Sequence, residues 1–131
     1  MMSSSKSILD ASAVIALLSE EEGADEVYSV ITHSVMSSVN VSEVAKFLIE
    51  HRKFSKTTAI EAIQTLISEI IPFDENHAYV SADLITKTKS IGLSLGDRAC
   101  IALGIETNYP IYTADKVWSK IDFGCQINLI R

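Results

Sequence analysis

Short apolar segments alternate with longer helical segments along this chain, and this alternation limits the folds open to it. Apolar runs at residues 7–9, 35–37 and 111–113 predict buried strands, because each run is short and bounded by polar residues. A helical pattern follows each of them. Strands that alternate with helices indicate an α/β fold. We therefore expect a three-layer α/β/α architecture with a mostly parallel central sheet.

The remaining segments fit the same plan. Apolar residues at spacings of three and four predict helices over residues 13–18, 40–51, 57–68, 75–89 and 96–106. Residues 70–73 predict an edge strand because Pro72 cannot donate to a ladder, and residues 126–130 can close the sheet. A chain of 131 residues is long enough for one packed core. We expect a single domain over residues 1–131.

The apolar run over residues 11–18 needs separate consideration as a leader or membrane segment. It is too short to span a bilayer. Lys6 is the only basic residue before it and Asp10 directly precedes it, so it also makes a poor signal peptide. We expect a cytoplasmic protein with no membrane association.

Four acidic residues stand just after predicted strands or in the first turns of the following helices. They are Asp10, Glu43, Asp97 and Asp115. Ligands of parallel α/β sheets bind beyond the carboxyl ends of the strands. We therefore expect the four carboxylates to meet at one edge of the sheet, where they could hold a divalent cation.

Each of these acids also has a purely structural explanation. Asn40 with Glu43, and Ser94 with Asp97, have the spacing of a capping box, and Asp115 is a natural N-cap. Asp10 is the strongest functional candidate because it stands between two apolar runs with no nearby lysine or arginine in its segment. Burying a carboxylate there is costly without a partner.

Four segments together resemble PIN-domain proteins, and most closely the VapC-type toxins of bacterial toxin–antitoxin pairs. They are Ile-Leu-Asp-Ala-Ser-Ala at 8–13, Val-Asn-Val-Ser-Glu-Val at 39–44, Gly-Leu-Ser-Leu-Gly-Asp-Arg-Ala-Cys at 92–100 and Tyr-Thr-Ala-Asp-Lys-Val-Trp at 112–118. The likeness runs nearly end to end, and the segment around Asp97 is its most specific part.

This resemblance implies a magnesium-dependent endoribonuclease, in which manganese can replace magnesium. The family's acid positions fall on the four acids named above, with Asp10, Asp97 and Asp115 as metal ligands and Glu43 orienting or deprotonating the attacking water. Ser12 and Thr113 match small hydroxyl positions beside the metal. The resemblance further implies products with a 5′-phosphate and a 3′-hydroxyl, a cognate antitoxin and a homodimer.

Charge limits how such a protein could hold RNA. The formal net charge of −6 counts against a broad basic face, so RNA contact is expected from local cations at Lys46, Arg98 and Lys116. The histidines, His33, His51 and His77, are isolated from one another and share no ligand spacing. That pattern argues against a zinc site and predicts ordinary structural or surface roles.

Three other functions remain open at this stage. Asp10 after a strand also suits the nucleophile of a phosphotransfer enzyme, although Ser12 stands where such enzymes usually have a second acid. The chain could instead be a non-catalytic interaction module with a PIN-like shell. It could also be an RNA-processing nuclease without an antitoxin.

Overall fold

A five-stranded parallel sheet forms the centre of the computed structural model, which describes residues 5–131. The strands are β1 (Ser7–Leu9), β2 (Ser34–Ser37), β3 (Glu69–Ile71), β4 (Ile111–Thr113) and β5 (Ile127–Leu129). Their order is β3-β2-β1-β4-β5, and every neighbouring pair is parallel. All five carboxyl ends therefore lie at one edge, and β1 is the central strand.

Seven helices connect and cover the strands. They are α1 (Ala11–Leu18), α2 (Ala24–Val30), α3 (Ser38–His51), α4 (Lys56–Leu66), α5 (Glu75–Asp83), α6 (Ile85–Thr88) and α7 (Leu95–Thr107). Short 3₁₀ segments occupy Ile31–His33, Lys89–Ile91 and Lys116–Lys120. Over residues 5–131, every helix is too short or too polar to cross a lipid bilayer.

Two hydrophobic cores lie on opposite faces of the sheet. Successive residues of a strand point to opposite faces, and accordingly Leu9 and Met36 pack in one core while Ile8 and Val35 pack in the other. The first core includes residues of α1 to α4, and the second combines residues of α7 with Leu84, Leu93, Trp118 and Phe123. The three-layer α/β/α expectation is confirmed, and the sheet is entirely rather than mostly parallel.

Two helical segments differ from the sequence prediction. The helix expected over residues 75–89 breaks after α5. Past the break, the backbone N–H of Lys87 donates to the carbonyl of Leu84 at 3.0 Å, a bond of the 3₁₀ type that interrupts the regular helix. Helix α2 was not predicted, because only Val27 of its seven residues is buried and it leaves little apolar periodicity to detect.

The close contact between α7 and β4 gives a test of the second core. A Cβ added at Gly104 would lie 2.5 Å from Cδ1 and 3.0 Å from Cγ1 of the fully buried Ile111. We expect Gly104→Ala to lower the free energy of unfolding by about 1 kcal/mol or more, because overpacking outweighs the helix propensity of alanine. Urea unfolding measures this change.

A compensating double variant identifies the cause. Ile111→Val removes the methyl group nearest the added Cβ and by itself costs about 1 kcal/mol. We expect Gly104→Ala with Ile111→Val to be less destabilised than the sum of the two single variants. Additive losses, or a Gly104→Ala protein as stable as the parent, would contradict this packing argument.

Candidate active site

The four acids singled out in the sequence meet in one pocket at the carboxyl edge of the sheet. The pocket has a volume of about 300 Å³. Its lining residues are Asp10, Ala11, Ser12, Ile15, Asn40, Glu43, Asp97 and Asp115. Among these described residues none is basic, so four carboxylates face a shared space without a protein cation.

Asp10 lies at the floor of this pocket, at the end of the central strand β1. Its side chain is almost fully buried. Oδ1 accepts hydrogen bonds from the backbone N–H of Ala13 at 2.8 Å and from the hydroxyl of Ser12 at 2.7 Å. Oδ2 accepts a bond of 2.6 Å from the hydroxyl of Thr113 on β4. Asp10 therefore caps α1 and also joins the ends of two neighbouring strands.

The burial of Asp10 changes its acidity. Loss of hydration raises the pKa of Asp10 from the ordinary value of 3.8 to about 6, and the negative charge of Asp97 contributes in the same direction. The hydrogen bonds from Thr113, Ala13 and Ser12 act against this rise without cancelling it. A nearby cation would favour the ionised form.

Two hydroxyl groups support Asp10 from beneath. Besides donating to Asp10, Ser12 accepts from the backbone N–H of Ala114 at 2.9 Å, and Thr113 accepts from the N–H of Asp115 at 3.0 Å. Their two oxygens are 3.3 Å apart. Ser12 lines the pocket, whereas Thr113 is fully buried behind Asp10. These hydroxyls fix Asp10 and the start of the Asp115 segment together.

Glu43 is held by a residue that the sequence analysis interpreted differently. Asn40 donates through Nδ2 to Glu43 Oε1 at 2.8 Å and to the carbonyl of Gly96 at 3.1 Å. Because Ser37 is the N-cap of α3, Asn40 lies inside the first turn and is not a cap. Its spacing three residues before Glu43, which in the sequence indicates a capping box, instead reflects this direct side-chain contact.

Gly96 allows α3 and α7 to approach at this point. A Cβ at Gly96 would lie 2.6 Å from the carboxyl carbon of Glu43, so a larger residue would displace that side chain. The buried Oδ1 of Asn40 has no hydrogen-bond partner within residues 5–131. Among these residues, Asn40 therefore keeps one buried amide oxygen without a hydrogen-bond partner beside Glu43.

Asp97 and Asp115 each use one carboxylate oxygen to begin a helix. Asp97 forms a reciprocal capping box with Ser94 at the start of α7, and its Oδ2 accepts from the Ser94 N–H at 3.0 Å. Asp115 accepts from the N–H of Val117 at 3.0 Å. In the part of the chain that the structure describes, the second carboxylate oxygen of Asp97 and that of Asp115 accept no hydrogen bond. Capping therefore leaves both acids able to bind a cation.

The three basic residues predicted to contact RNA lie outside the lining of this pocket. Lys46 and Lys116 are exposed on α3 and on the 3₁₀ segment after Asp115. Arg98 points elsewhere, because its Nη1 donates to the carbonyl of Ser81 on α5 at 2.9 Å. That contact packs α7 against α5 and gives Arg98 a structural role.

The family model described as the PIN domain matches residues 7–124. The chain belongs to the PIN domain family. The match includes all four pocket acids and all the strands except β5, as well as both hydroxyl residues that hold Asp10. No curated protein sequence matches the chain.

Solved structures share this PIN fold over nearly the whole chain. A toxin–antitoxin complex from Klebsiella pneumoniae superposes with a TM-score of 0.76 at 18% identity, covering 96% of this chain and 98% of that one. DNA-bound VapBC from Salmonella typhimurium superposes with a TM-score of 0.73 at 14% identity, covering 97% of this chain and 99% of that one. VapC20 of Mycobacterium tuberculosis, a sarcin–ricin loop cleaving toxin, superposes with a TM-score of 0.73 at 15% identity, covering 88% of this chain and 94% of that one.

The raised pKa of Asp10 predicts how the stability of this PIN domain depends on pH when divalent cations are removed. Since the folded-state pKa of about 6 exceeds the ordinary value of 3.8, the folded chain binds more protons than the unfolded chain between these values. The free energy of unfolding therefore falls as the pH rises from about 3.8 to about 6, and Asp10 contributes a loss of about 3 kcal/mol. Urea unfolding in EDTA from about pH 4 to about pH 8 measures the loss.

Asp10→Asn isolates this contribution because asparagine does not titrate. We expect the parent protein to lose stability relative to Asp10→Asn as the pH approaches 6, and the difference to level off above it. Asp83→Asn, at an exposed acid on α5, is the matched control and should follow the parent. If the free energy of unfolding varied with pH in the same way in the parent and in Asp10→Asn, burial of the Asp10 carboxylate would not destabilise the fold.

Proposed function

We propose that this chain is a divalent-metal-dependent endoribonuclease that acts as the toxin of a toxin–antitoxin pair. The observation that carries the proposal is the convergence of Asp10, Glu43, Asp97 and Asp115 in one pocket without a protein cation. A stabilising role alone does not account for four carboxylates that repel one another. Membership of the PIN domain family supports the same activity, as does the fold shared with the Klebsiella pneumoniae toxin–antitoxin complex and with VapC20.

The donor set of the pocket fits Mg²⁺, with Mn²⁺ as a substitute. Both ions prefer oxygen ligands, and the lining supplies four carboxylates. Asp10, Asp97 and Asp115 would hold the cation. Such an ion, when bound, supplies positive charge that offsets the charge developing on the phosphate and lowers the pKa of bound water.

The side chains themselves divide the remaining work of phosphodiester hydrolysis. Glu43 is exposed at the pocket wall and fixed through Asn40, so it can orient a water and accept its proton. Asp10 is locked in place by Ser12 and Thr113, which keeps the cation ligand in one position. In-line attack on RNA would leave a 5′-phosphate and a 3′-hydroxyl.

RNA would be held close to the pocket by few cations. Lys46 lies about one turn beyond Glu43 on α3, and Lys116 directly follows Asp115, so both can reach phosphates that flank the cleaved bond. Arg98 is assigned no direct phosphate contact because its guanidinium is bound to the Ser81 carbonyl. The proposed contacts with RNA phosphates are therefore few and local, as expected for a chain with a net charge of −6.

The proposed setting includes a cognate antitoxin and a homodimer. Two of the similar structures are a toxin–antitoxin complex and a DNA-bound VapBC. An antitoxin segment could place an Arg or Lys against the pocket carboxylates and cover apolar groove walls. Of the residues considered for those walls, Ile15 lines the pocket, Leu17, Leu18 and Phe47 are half-buried, and Leu48 lies in the core.

Two other functions are less well supported. A phosphotransfer enzyme would need a free nucleophile, yet both carboxylate oxygens of Asp10 are engaged by hydrogen bonds and the side chain is almost fully buried. An interaction module without catalysis would have no use for an intact acidic pocket. An RNA-processing nuclease would share this chemistry, and an antitoxin-binding assay separates the two settings.

Removal of a pocket acid tests the proposed chemistry. We expect Asp10→Asn and Asp97→Asn each to reduce Mg²⁺-dependent RNA cleavage by at least about 100-fold, the scale typical of losing charge stabilisation in an active site. Cleavage of a mixed RNA substrate, with folding checked by circular dichroism, measures the effect. Asp83→Asn is the control and should keep parental activity. Near-parental cleavage by folded Asp10→Asn would refute the assignment.

Cation binding by the pocket is tested separately through stability. Because a ligand that binds only the folded chain stabilises it by mass action, we expect millimolar Mg²⁺ to raise the melting temperature of the parent by several degrees. The Asp10→Asn, Asp97→Asn double variant should show little response. A melting temperature that is independent of Mg²⁺ in the parent would contradict the pocket's role as a cation site.

A further inference from the structure

A second cluster of ligand-type side chains lies away from the acidic pocket, between α5 and α7. Asp74 precedes α5, His77 lies in its first turn, and Glu106 lies near the end of α7. One ligand atom from each lies within 4.8 Å of the others. His77 is only 1% exposed, whereas Asp74 and Glu106 reach the surface. The cluster thus combines a buried imidazole with two carboxylates at the surface.

The hydrogen bonds of His77 determine which ring nitrogen is available. Nε2 lies 2.8 Å from Glu106 Oε1, and a carboxylate at that distance requires a proton on Nε2. Nδ1 is buried and has no hydrogen-bond partner among the described residues. Its nearest charged neighbour is Asp74 Oδ1 at 3.9 Å, which is too far for a hydrogen bond.

Within residues 5–131, Nδ1 therefore lacks a partner, and a cation shared with Asp74 would supply one. In a neutral imidazole with its proton on Nε2, Nδ1 carries a lone pair that faces a carboxylate. Two ligand atoms that each lie about 2.1 Å from a tetrahedral ion are about 3.4 Å apart. The observed 3.9 Å is longer by about 0.5 Å, a shift that the exposed carboxylate of Asp74 allows.

We propose that Asp74 and the Nδ1 of His77 form a binding site for a transition-metal dication of the Zn²⁺ type, and that Glu106 fixes the orientation of the imidazole ring. A carboxylate that accepts from the distal N–H of a metal-binding histidine is a common arrangement around zinc. Asn76 donates to the other oxygen of Glu106 at 3.1 Å and fixes that carboxylate. The nitrogen ligand selects Zn²⁺ over Mg²⁺.

This site is separate from the proposed catalytic pocket in position and in preferred ion. Glu106 follows Asp97 by nine residues on α7, which places their Cα atoms about 13 Å apart at about 1.5 Å per residue. The pocket offers only oxygen donors. An ion at the second site would bind two residues at the start of α5 and would strengthen the contact of His77 with Glu106 on α7, so it would stabilise the fold without taking part in phosphodiester chemistry.

Zn²⁺ binding to the full chain tests the proposal once the acidic pocket has been disabled. In an Asp10→Asn, Asp97→Asn background, we expect calorimetric titration with ZnCl₂ to show one equivalent bound. Asp74→Asn retains a good N-cap but removes a ligand, and it should weaken binding more than about tenfold. Glu106→Gln should weaken it by about 10-fold to about 100-fold. His77→Gln should abolish it if that variant folds.

Matched controls and a spectroscopic readout separate this site from adventitious binding. Asp83→Asn on α5 and His51→Gln at an exposed histidine should leave Zn²⁺ affinity unchanged. The ¹⁵N resonance of His77 Nδ1 should shift with Zn²⁺ and not with Mg²⁺. Unchanged affinity in Asp74→Asn, loss of affinity in His51→Gln, or an unmoved Nδ1 resonance would each overturn the proposal.

Discussion

The carboxylate of Asp10, buried at the end of the central strand, is the constraint around which the rest of this PIN domain is arranged. Three hydrogen bonds hold it, yet they do not replace the hydration it loses, and its pKa remains raised to about 6. An asparagine would satisfy much of the same network without a charge. The fold thus maintains a costly anion at the position where β1 and β4 end and where other acids converge. A cation in the pocket, as proposed above, would offset this cost.

Helix N-termini make such a concentration of negative charge possible. Asp10, Asp97 and Asp115 each begin a helical segment, where backbone N–H groups and the helix dipole favour an anion. Capping and cation binding are compatible, because Asp97 and Asp115 each use one oxygen for the cap and keep the other free. Glu43 is positioned differently, by the amide of Asn40 and by the absence of a side chain at Gly96. The structural and functional explanations of these acids are therefore two aspects of one geometry.

The sequence predicted the features that depend on periodicity and on position after a strand. The alternation of strands and helices was sufficient for the three-layer fold and for placing four acids at one edge, since parallel strands share their carboxyl ends. The sequence did not predict side-chain partners that come from distant parts of the chain. Arg98 follows a pocket acid in sequence, yet its guanidinium binds the Ser81 carbonyl on another helix. His77 looked isolated, but packing of α7 on α5 brings Glu106 to it from 29 residues away. Helix α2, with one buried residue, gave too weak a pattern to detect.

Charge also bears on how the proposed nuclease could meet its substrate. The chain carries a net charge of −6, and its pocket adds four carboxylates at the point where a phosphodiester must enter. Without cations, that pocket repels RNA, and two exposed lysines nearby cannot reverse the local field. A divalent ion that binds the acids removes this barrier and attracts the phosphate. Since linkage between two ligands is reciprocal, RNA should also tighten the binding of the ion. Occupancy of the acidic pocket and recognition of RNA are then one coupled equilibrium, in which the metal serves as part of the substrate-binding surface.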